Sequence, residues 1–385
     1  MWERMAEELE ILKQQGNFRT LPPMMYPGYK MVKGGKQMLN LSSNDYLGLA
    51  SRQELREEFL QGLSADNFLP TSSSSRLLTG NIPVYEELEN ELASLYNKES
   101  ALVLNSGYHA NTGILPAIST EQTLILADKL VHASLIDGIR LSSARCIRYR
   151  HKDMLQLEHL IKKYETDFRE IIVVTESLFS MDGDLTDLWH LSILKKIHPK
   201  VLLYVDEAHT FGVRGPQGLG LAEEMHVIDD IDFLVGTFGK AAASAGAFIV
   251  CKKIVKEYLV NRMRTLIFTT ALPPINIAWT LFILRKLPSL KQEREHLVAI
   301  GKQLRQGLEA KEYVCPSMSH IVPLIIGSNA ETLWTVEKLQ KNGFYALPVR
   351  PPTVPEGTSR IRFSLTADVS EEDVERLLSV IHYKL

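Results

Sequence analysis

The chain has 385 residues, 45% of them hydrophobic, with 43 basic against 46 acidic side chains and a formal net charge of −3. That length can bury a large core and suggests two or three domains, and the near-balance of charge gives no reason to expect a nucleic acid or an anionic membrane as partner. Cys146, Cys251 and Cys315 are scattered, with no CxxC pair and no histidine at metal spacing, so reduced thiols of a cytoplasmic protein and no metal are expected.

In chain order, MWERMAEELEILKQQGN is acidic and amphipathic at helical spacing, unlike the basic start and apolar run of a signal peptide. No apolar run approaches the ~18 residues needed to cross a bilayer. A proline-broken connector, FRTLPPMMYPGYK, leads to MLNLSSNDYLGLA, a short strand running into a turn. A helix is predicted over 83–97, with Pro83 at its first position, then apolar ALVLN, a turn at Gly107-Tyr108-His109 and a helix through 109–118. Strands are predicted at 123–127, 145–149, 171–176, 201–206, 232–236 and 246–251, mostly separated by helix-length segments. Such alternation, with nearly continuous apolar strands, predicts an α/β domain whose mainly parallel sheet is covered on both faces.

Residues 274–311 read as one or two long helices. Beyond about 312 come strand HIVPLIIGS, helix 331–342, strand FYALPV, the loop PPTVPEG, strand RIRFSL and a final helix near Ser370, where Ser370 and Asp373 are spaced as a capping box. This pattern predicts a small α+β C-terminal domain. The division expected is 1–45 as N-terminal helix and connector, 46–285 as the large domain and 286–385 as the small one.

Lys240 stands out. It lies in DFLVGTFGKAAASAGAFIV, between two predicted buried strands, among glycines and alanines. A lysine pressed toward an apolar site loses solvation of its charged form and becomes a nucleophile able to form a Schiff base, and small neighbours would leave room for what it attacks. In open α/β sheets ligands bind beyond the carboxyl ends of the strands, where VLLYVDEAH places Asp206 and His209. DEAH also suggests a nucleotide-driven helicase, but the GxxxxGK[ST] phosphate loop is missing, and FGVRGPQGLG follows no Rossmann pattern. A nucleophilic lysine with a buried carboxylate fits pyridoxal 5'-phosphate (PLP), whose aldehyde takes the amine and whose pyridine nitrogen is kept protonated by the carboxylate. Phosphate donors are on offer at Gly107-Tyr108, Ser180, Thr237 and the pair Thr269-Thr270.

SSNDYLGLA, SSRLLTGN, LVLNSGYHANTG, DKLVHASLIDG, ESLFSMDGD, VDEAHTFGVRGPQGLG, GTFGKA and FTTALPP occur in this order. Together they resemble the α-oxoamine synthases of the fold-type-I PLP enzymes, over about residues 38 to 366. The resemblance implies a large domain with a mainly parallel seven-stranded sheet. It further implies that Lys240 carries the cofactor, Asp206 pairs with the pyridinium nitrogen, His209 bonds the ring hydroxyl and His132 stacks on the ring and donates a proton. Gly107, Tyr108, Ser180 and Thr237 would hold the cofactor or its phosphate, and Thr269 or Thr270 would reach the phosphate of the other copy in a homodimer. Arg362 would fork the amino acid carboxylate, while Thr353, Arg19 and Asn44 would lie near substrate. The implied activity is PLP-dependent decarboxylative condensation of an amino acid, alanine, with an acyl thioester, a pimeloyl group on coenzyme A or a carrier protein. Competing readings are glycine with acetyl-CoA, an aminotransferase on the same fold, and a PLP-binding scaffold without turnover. Two departures from the family stand out: Thr71 with Ser72 to Ser75 in place of a glycine-rich stretch, and Ala241 to Ala243 in place of bulkier residues.

Overall fold

In the computed structural model, which describes residues 1–21, 23, 24 and 28–384, the apolar runs become strands buried on both faces. The chain divides into two compact units. One comprises Arg52–Phe179 and Leu185–Arg294, and the other Met1–Ser51, Ser180–Asp184 and Glu295–Leu385.

The first of these units is built on a seven-stranded sheet. Its order is Ser100–Leu104, Ala247–Cys251, Phe233–Thr237, Val201–Asp206, Glu170–Glu176, Thr123–Asp128, Arg145–Tyr149. The last five run parallel, each reached through a connection long enough to cross over. Ala247–Cys251 runs antiparallel to both of its neighbours, because the connection 238–246 is too short for the dozen or more residues a parallel crossover needs. That short connection carries Lys240. Side chains such as Leu102, Ile125, Ile172, Val174, Val235 and Ile249 pack in one core with Ala110, Ile114 and Leu135 from the covering helices. Each such side chain taken fully from water contributes about 1.5–3 kcal/mol.

The other unit holds two three-stranded sheets. One orders Lys30–Lys33, Lys36–Asn40 and Phe344–Tyr345; the other orders Ile321–Gly327, Ser359–Ser364 and Pro348–Val349. The single strand expected at 344–349 is therefore two, which pair with different sheets. Helix Glu371–Val380 begins with the expected capping box between Ser370 and Asp373. The stretch 274–311 forms two helices, Pro274–Lys286 and Lys291–Glu309, broken at Leu287–Ser289, where Pro288 cannot continue the hydrogen-bond ladder. Helix Trp2–Gln14 buries none of its residues. Of the connector that follows it, Pro22 and 25–27 lie outside the described residues. Among the described residues no helix is long and apolar enough to cross a membrane, and no group of three or more His, Cys, Asp or Glu could hold a metal ion.

Candidate active site

Strand Phe233–Thr237 ends in a loop locked to its own backbone. Phe238 N–H donates to Gly246 O at 2.9 Å, Ser244 N–H to Phe238 O at 3.0 Å and Ala243 N–H to Lys240 O at 2.9 Å. Phe238 itself is buried and stacks on Phe248, with ring centroids 5.2 Å apart. On this fixed base the Lys240 amine stands 2.9 Å from His209 Nε2. The small neighbours do not leave a void behind the lysine. Ala241 and Ala242 are buried, and a Cβ added to Gly212 would come within 2.6 Å of the Ala241 methyl. Of the three alanines, Ala241 therefore packs directly against Gly212, at a place where a side chain on residue 212 would overlap its methyl.

Asp206 closes strand Val201–Asp206 and is buried at 6% exposure. Its Oδ1 accepts the Ala208 N–H at 2.9 Å and its Oδ2 accepts Asn111 Nδ2 at 2.8 Å. Both partners are N–H donors, so each carboxylate oxygen serves as an acceptor. The next residue, Glu207, is buried but structural: it accepts the N–H groups of Leu221 and Ala222 at 3.0 and 2.8 Å and the Thr210 hydroxyl. The helicase-like reading of DEAH finds no support in that geometry.

Asn111, Ser134, Tyr204 and Glu176 escaped the sequence reading. Asn111 accepts the Tyr204 hydroxyl at 2.7 Å and donates to Ser134 Oγ at 2.9 Å as well as to Asp206. His132 is the N-cap of helix Ala133–Leu141, its ring accepting the Ser134 N–H. The residue is exposed. Its backbone N–H donates to Glu176 Oε1 at 2.5 Å. Burial first, and then the adjacent Asp206 carboxylate, push the Glu176 carboxyl up to about 8.

The expected phosphate ligands fall into four situations. Gly107 and Tyr108 open helix Gly107–Ile118, where Ser106 caps the His109 N–H at 3.2 Å. The amides of Gly107 and Tyr108 belong to the first helical turn and have no acceptor among the described residues, so they suit an anion. Thr237 is different: its hydroxyl donates to Gly246 O at 2.9 Å and accepts the Gly239 N–H at 3.3 Å, bracing the lysine loop. Thr269 and Thr270 are gripped by Asn105 Nδ2, through the Thr269 hydroxyl at 3.4 Å and the Thr270 carbonyl at 2.7 Å. The serine run anchors the segment that follows them, Ser72 Oγ donating to Leu272 O at 2.7 Å and Ser74 O accepting the Ala271 N–H at 2.9 Å.

Ser180 belongs to the other unit, where its carbonyl accepts Arg362 Nε at 2.5 Å. Arg362 also reaches Asn44 Oδ1 at 3.5 Å and the Tyr46 hydroxyl at 3.4 Å. Among the described residues it has no acidic partner, so a cation stands half-buried with neutral neighbours only. In the same unit Arg19 donates to the Thr353 hydroxyl at 3.1 Å. Both line a cavity of about 240 Å³ together with Asn17 and Arg350. Burial, and then the Arg19 cation, lower the Arg350 pKa. Two guanidiniums facing one cavity without a carboxylate make an anion-seeking surface. Arg350 was not foreseen from the sequence.

The model of the aminotransferase class I and II family matches residues 36–381. A protein of Pasteurella multocida that carries the provisional name 8-amino-7-oxononanoate synthase is 52% identical over 376 residues, 97% of each chain. Among solved structures, the serine palmitoyltransferase of Sphingomonas wittichii aligns with TM-score 0.89 at 30% identity, over 98% of this chain and 95% of that one. The S. paucimobilis enzyme of the same name, solved with PLP and myriocin bound, aligns with TM-score 0.88 at 27% identity, over 98% and 96%.

Proposed function

We propose that this chain, which belongs to the aminotransferase class I and II family, condenses alanine with a pimeloyl thioester and releases thiol and carbon dioxide to give 8-amino-7-oxononanoate. The chain is a PLP-dependent acyltransferase of the α-oxoamine synthase type.

The residues present fit the cofactor. Lys240 supplies an amine on a rigid loop, Asp206 an acceptor held by two N–H donors, and Gly107 and Tyr108 two amides at a helix start. When bound, PLP supplies an electron sink for negative charge at the amino acid α-carbon. In this reading Lys240 holds the cofactor and, once released, takes the α-proton as general base. His209 keeps the lysine amine directed, and Asp206 stabilises positive charge on the ring nitrogen. Arg362 receives the substrate carboxylate with Asn44 beside it. His132 gives a proton to the thioester or keto oxygen as the new carbon–carbon bond forms. Thr269 and Thr270 serve the partner copy in a cytoplasmic homodimer.

The acyl assignment is carried by one observation: Arg19 and Arg350 line one cavity that has no acid among its described lining residues. A pimeloyl group ends in a carboxylate, whereas acetyl and palmitoyl groups end in methyl, so of these acyl chains only the first brings an anion of its own to the two cations. The 52% identity to the Pasteurella protein, against 30% to the serine palmitoyltransferase, supports the same choice. A panel of acetyl, heptanoyl, pimeloyl and palmitoyl thioesters, with alanine, glycine or serine and thiol release as readout, tests it. Preference for pimeloyl with alanine is expected; activity only with acetyl-CoA and glycine would sink the assignment.

A further inference from the structure

Nδ1 of His132 faces two groups, and one of them can only donate. The backbone N–H of Ser134 points at Nδ1 at 3.2 Å, and the Ser134 hydroxyl lies 2.8 Å from it. A backbone N–H has no lone pair to offer, so Nδ1 must be the acceptor. The hydroxyl is constrained in the same sense. Ser134 Oγ already accepts Asn111 Nδ2 at 2.9 Å, which turns its own proton toward Nδ1. Asn111 in turn is oriented at its other end by the Tyr204 hydroxyl at 2.7 Å and by Asp206, whose carboxylate takes the second Nδ2 hydrogen at 2.8 Å. Were the carboxamide rotated end for end, an oxygen would face the Asp206 carboxylate and a nitrogen the Tyr204 hydroxyl, so the carboxylate fixes the amide's direction.

We infer that the chain Asp206–Asn111–Ser134 is a positioning relay that holds His132 as the neutral Nε2–H tautomer. The outward nitrogen of the ring is therefore a proton donor, and its state is tied to the carboxylate at the end of strand Val201–Asp206. Glu176 secures the other side by accepting the His132 backbone N–H, which fixes the N-cap from which the ring projects. The charged groups that act on the ring are Asp206 and Asp137, which favour its protonation, and Lys240, which opposes it. The ring keeps an exposed edge, yet the protein packed around it is the largest influence and, together with Lys240, prevails over the two carboxylates and lowers its pKa. A second proton would have to enter at Nδ1, against the Ser134 N–H. The relay accounts for a histidine able to give the proton assigned to it above, but it stands on hydrogen-bond direction rather than on the identity of the substrates.

The test is a long-range proton–nitrogen correlation spectrum of PLP-loaded protein labelled with 15N-histidine, near pH 7.5. The chain has 11 histidines, so the His132 signals are assigned by their loss in His132→Gln. A protonated, pyrrole-type Nε2 and an unprotonated, pyridine-type Nδ1 are expected. In Ser134→Ala one of the two donors is gone, and both nitrogen shifts should move toward their common average; Ser134→Thr should restore them. A protonated Nδ1 in the unsubstituted protein overturns the inference without any variant. Shifts unchanged in Ser134→Ala also overturn it, because the backbone alone would then set the tautomer. No substrate is added, so either failure leaves the thioester panel untouched, and the panel's failure leaves the tautomer standing.

Discussion

The Lys240 amine lies 2.9 Å from His209 Nε2, on a loop whose backbone is fixed by its own hydrogen bonds and by buried Phe238. An amine so placed has a partner but little freedom to wander. Lys240→Ala should abolish covalent cofactor attachment, seen as loss of borohydride-trapped label, and lower turnover by a factor on the order of 10⁴ or more, since nucleophile and base are removed together. Retained labelling with normal turnover would place the chemistry elsewhere.

Asp206→Asn keeps the side chain's shape but removes its charge. Turnover of the folded variant should fall about 10²–10³-fold, the range for loss of one preorganised electrostatic group, and because both carboxylate oxygens accept N–H donors the new amide should also lower the melting temperature. Turnover that stays normal below the variant's melting temperature would contradict the role given to the charge.

Arg19→Gln or Arg350→Gln should raise KM for a pimeloyl thioester about 10–100-fold, corresponding to about 1.5–3 kcal/mol for a hydrogen bond to a charged group. KM for the heptanoyl thioester, which lacks the terminal carboxylate, should not move. Equal losses with both thioesters would assign the pair to folding or to a shared part of the substrate.

Glu176 makes stability depend on pH. Burial and then Asp206 raise its pKa from 4.5 to about 8. The folded protein thus keeps a proton that the unfolded chain releases, and stability from this group is complete below about pH 4.5 and lost as pH rises toward about 8. In protein stripped of cofactor, Glu176→Gln should flatten the decline in Tm across that window. A wild-type Tm that is level there, or a variant with the same slope, contradicts this.

Most of the sheet was legible because pattern and length decide it: strands 170–176 and 201–206 fall where their apolar runs do. Lys240, Asp206, His209 and His132 were singled out from their local contexts, and the structure brings the Lys240 amine to His209, while the roles given to them remain part of the proposal. Asn111 was not, although it lies in the quoted stretch LVLNSGYHANTG. Its partner Asp206 is 95 residues away, and nothing local marks a carboxamide in a helix as a carboxylate's donor. Thr237 was read as a phosphate ligand, yet its hydroxyl is committed to the loop, a backbone bond that sequence spacing does not reveal. Arg350 was overlooked because its meaning depends on Arg19, which only tertiary folding brings to the same cavity.

The most direct test of the central claim follows alanine labelled with 13C at its carboxyl through a single reaction with a pimeloyl thioester, with product mass, free thiol and labelled carbon dioxide measured together. One thiol and one labelled carbon dioxide for each molecule of 8-amino-7-oxononanoate is the predicted result. Transfer of the amino group to a keto acid, with no thiol and no labelled carbon dioxide released, would contradict it.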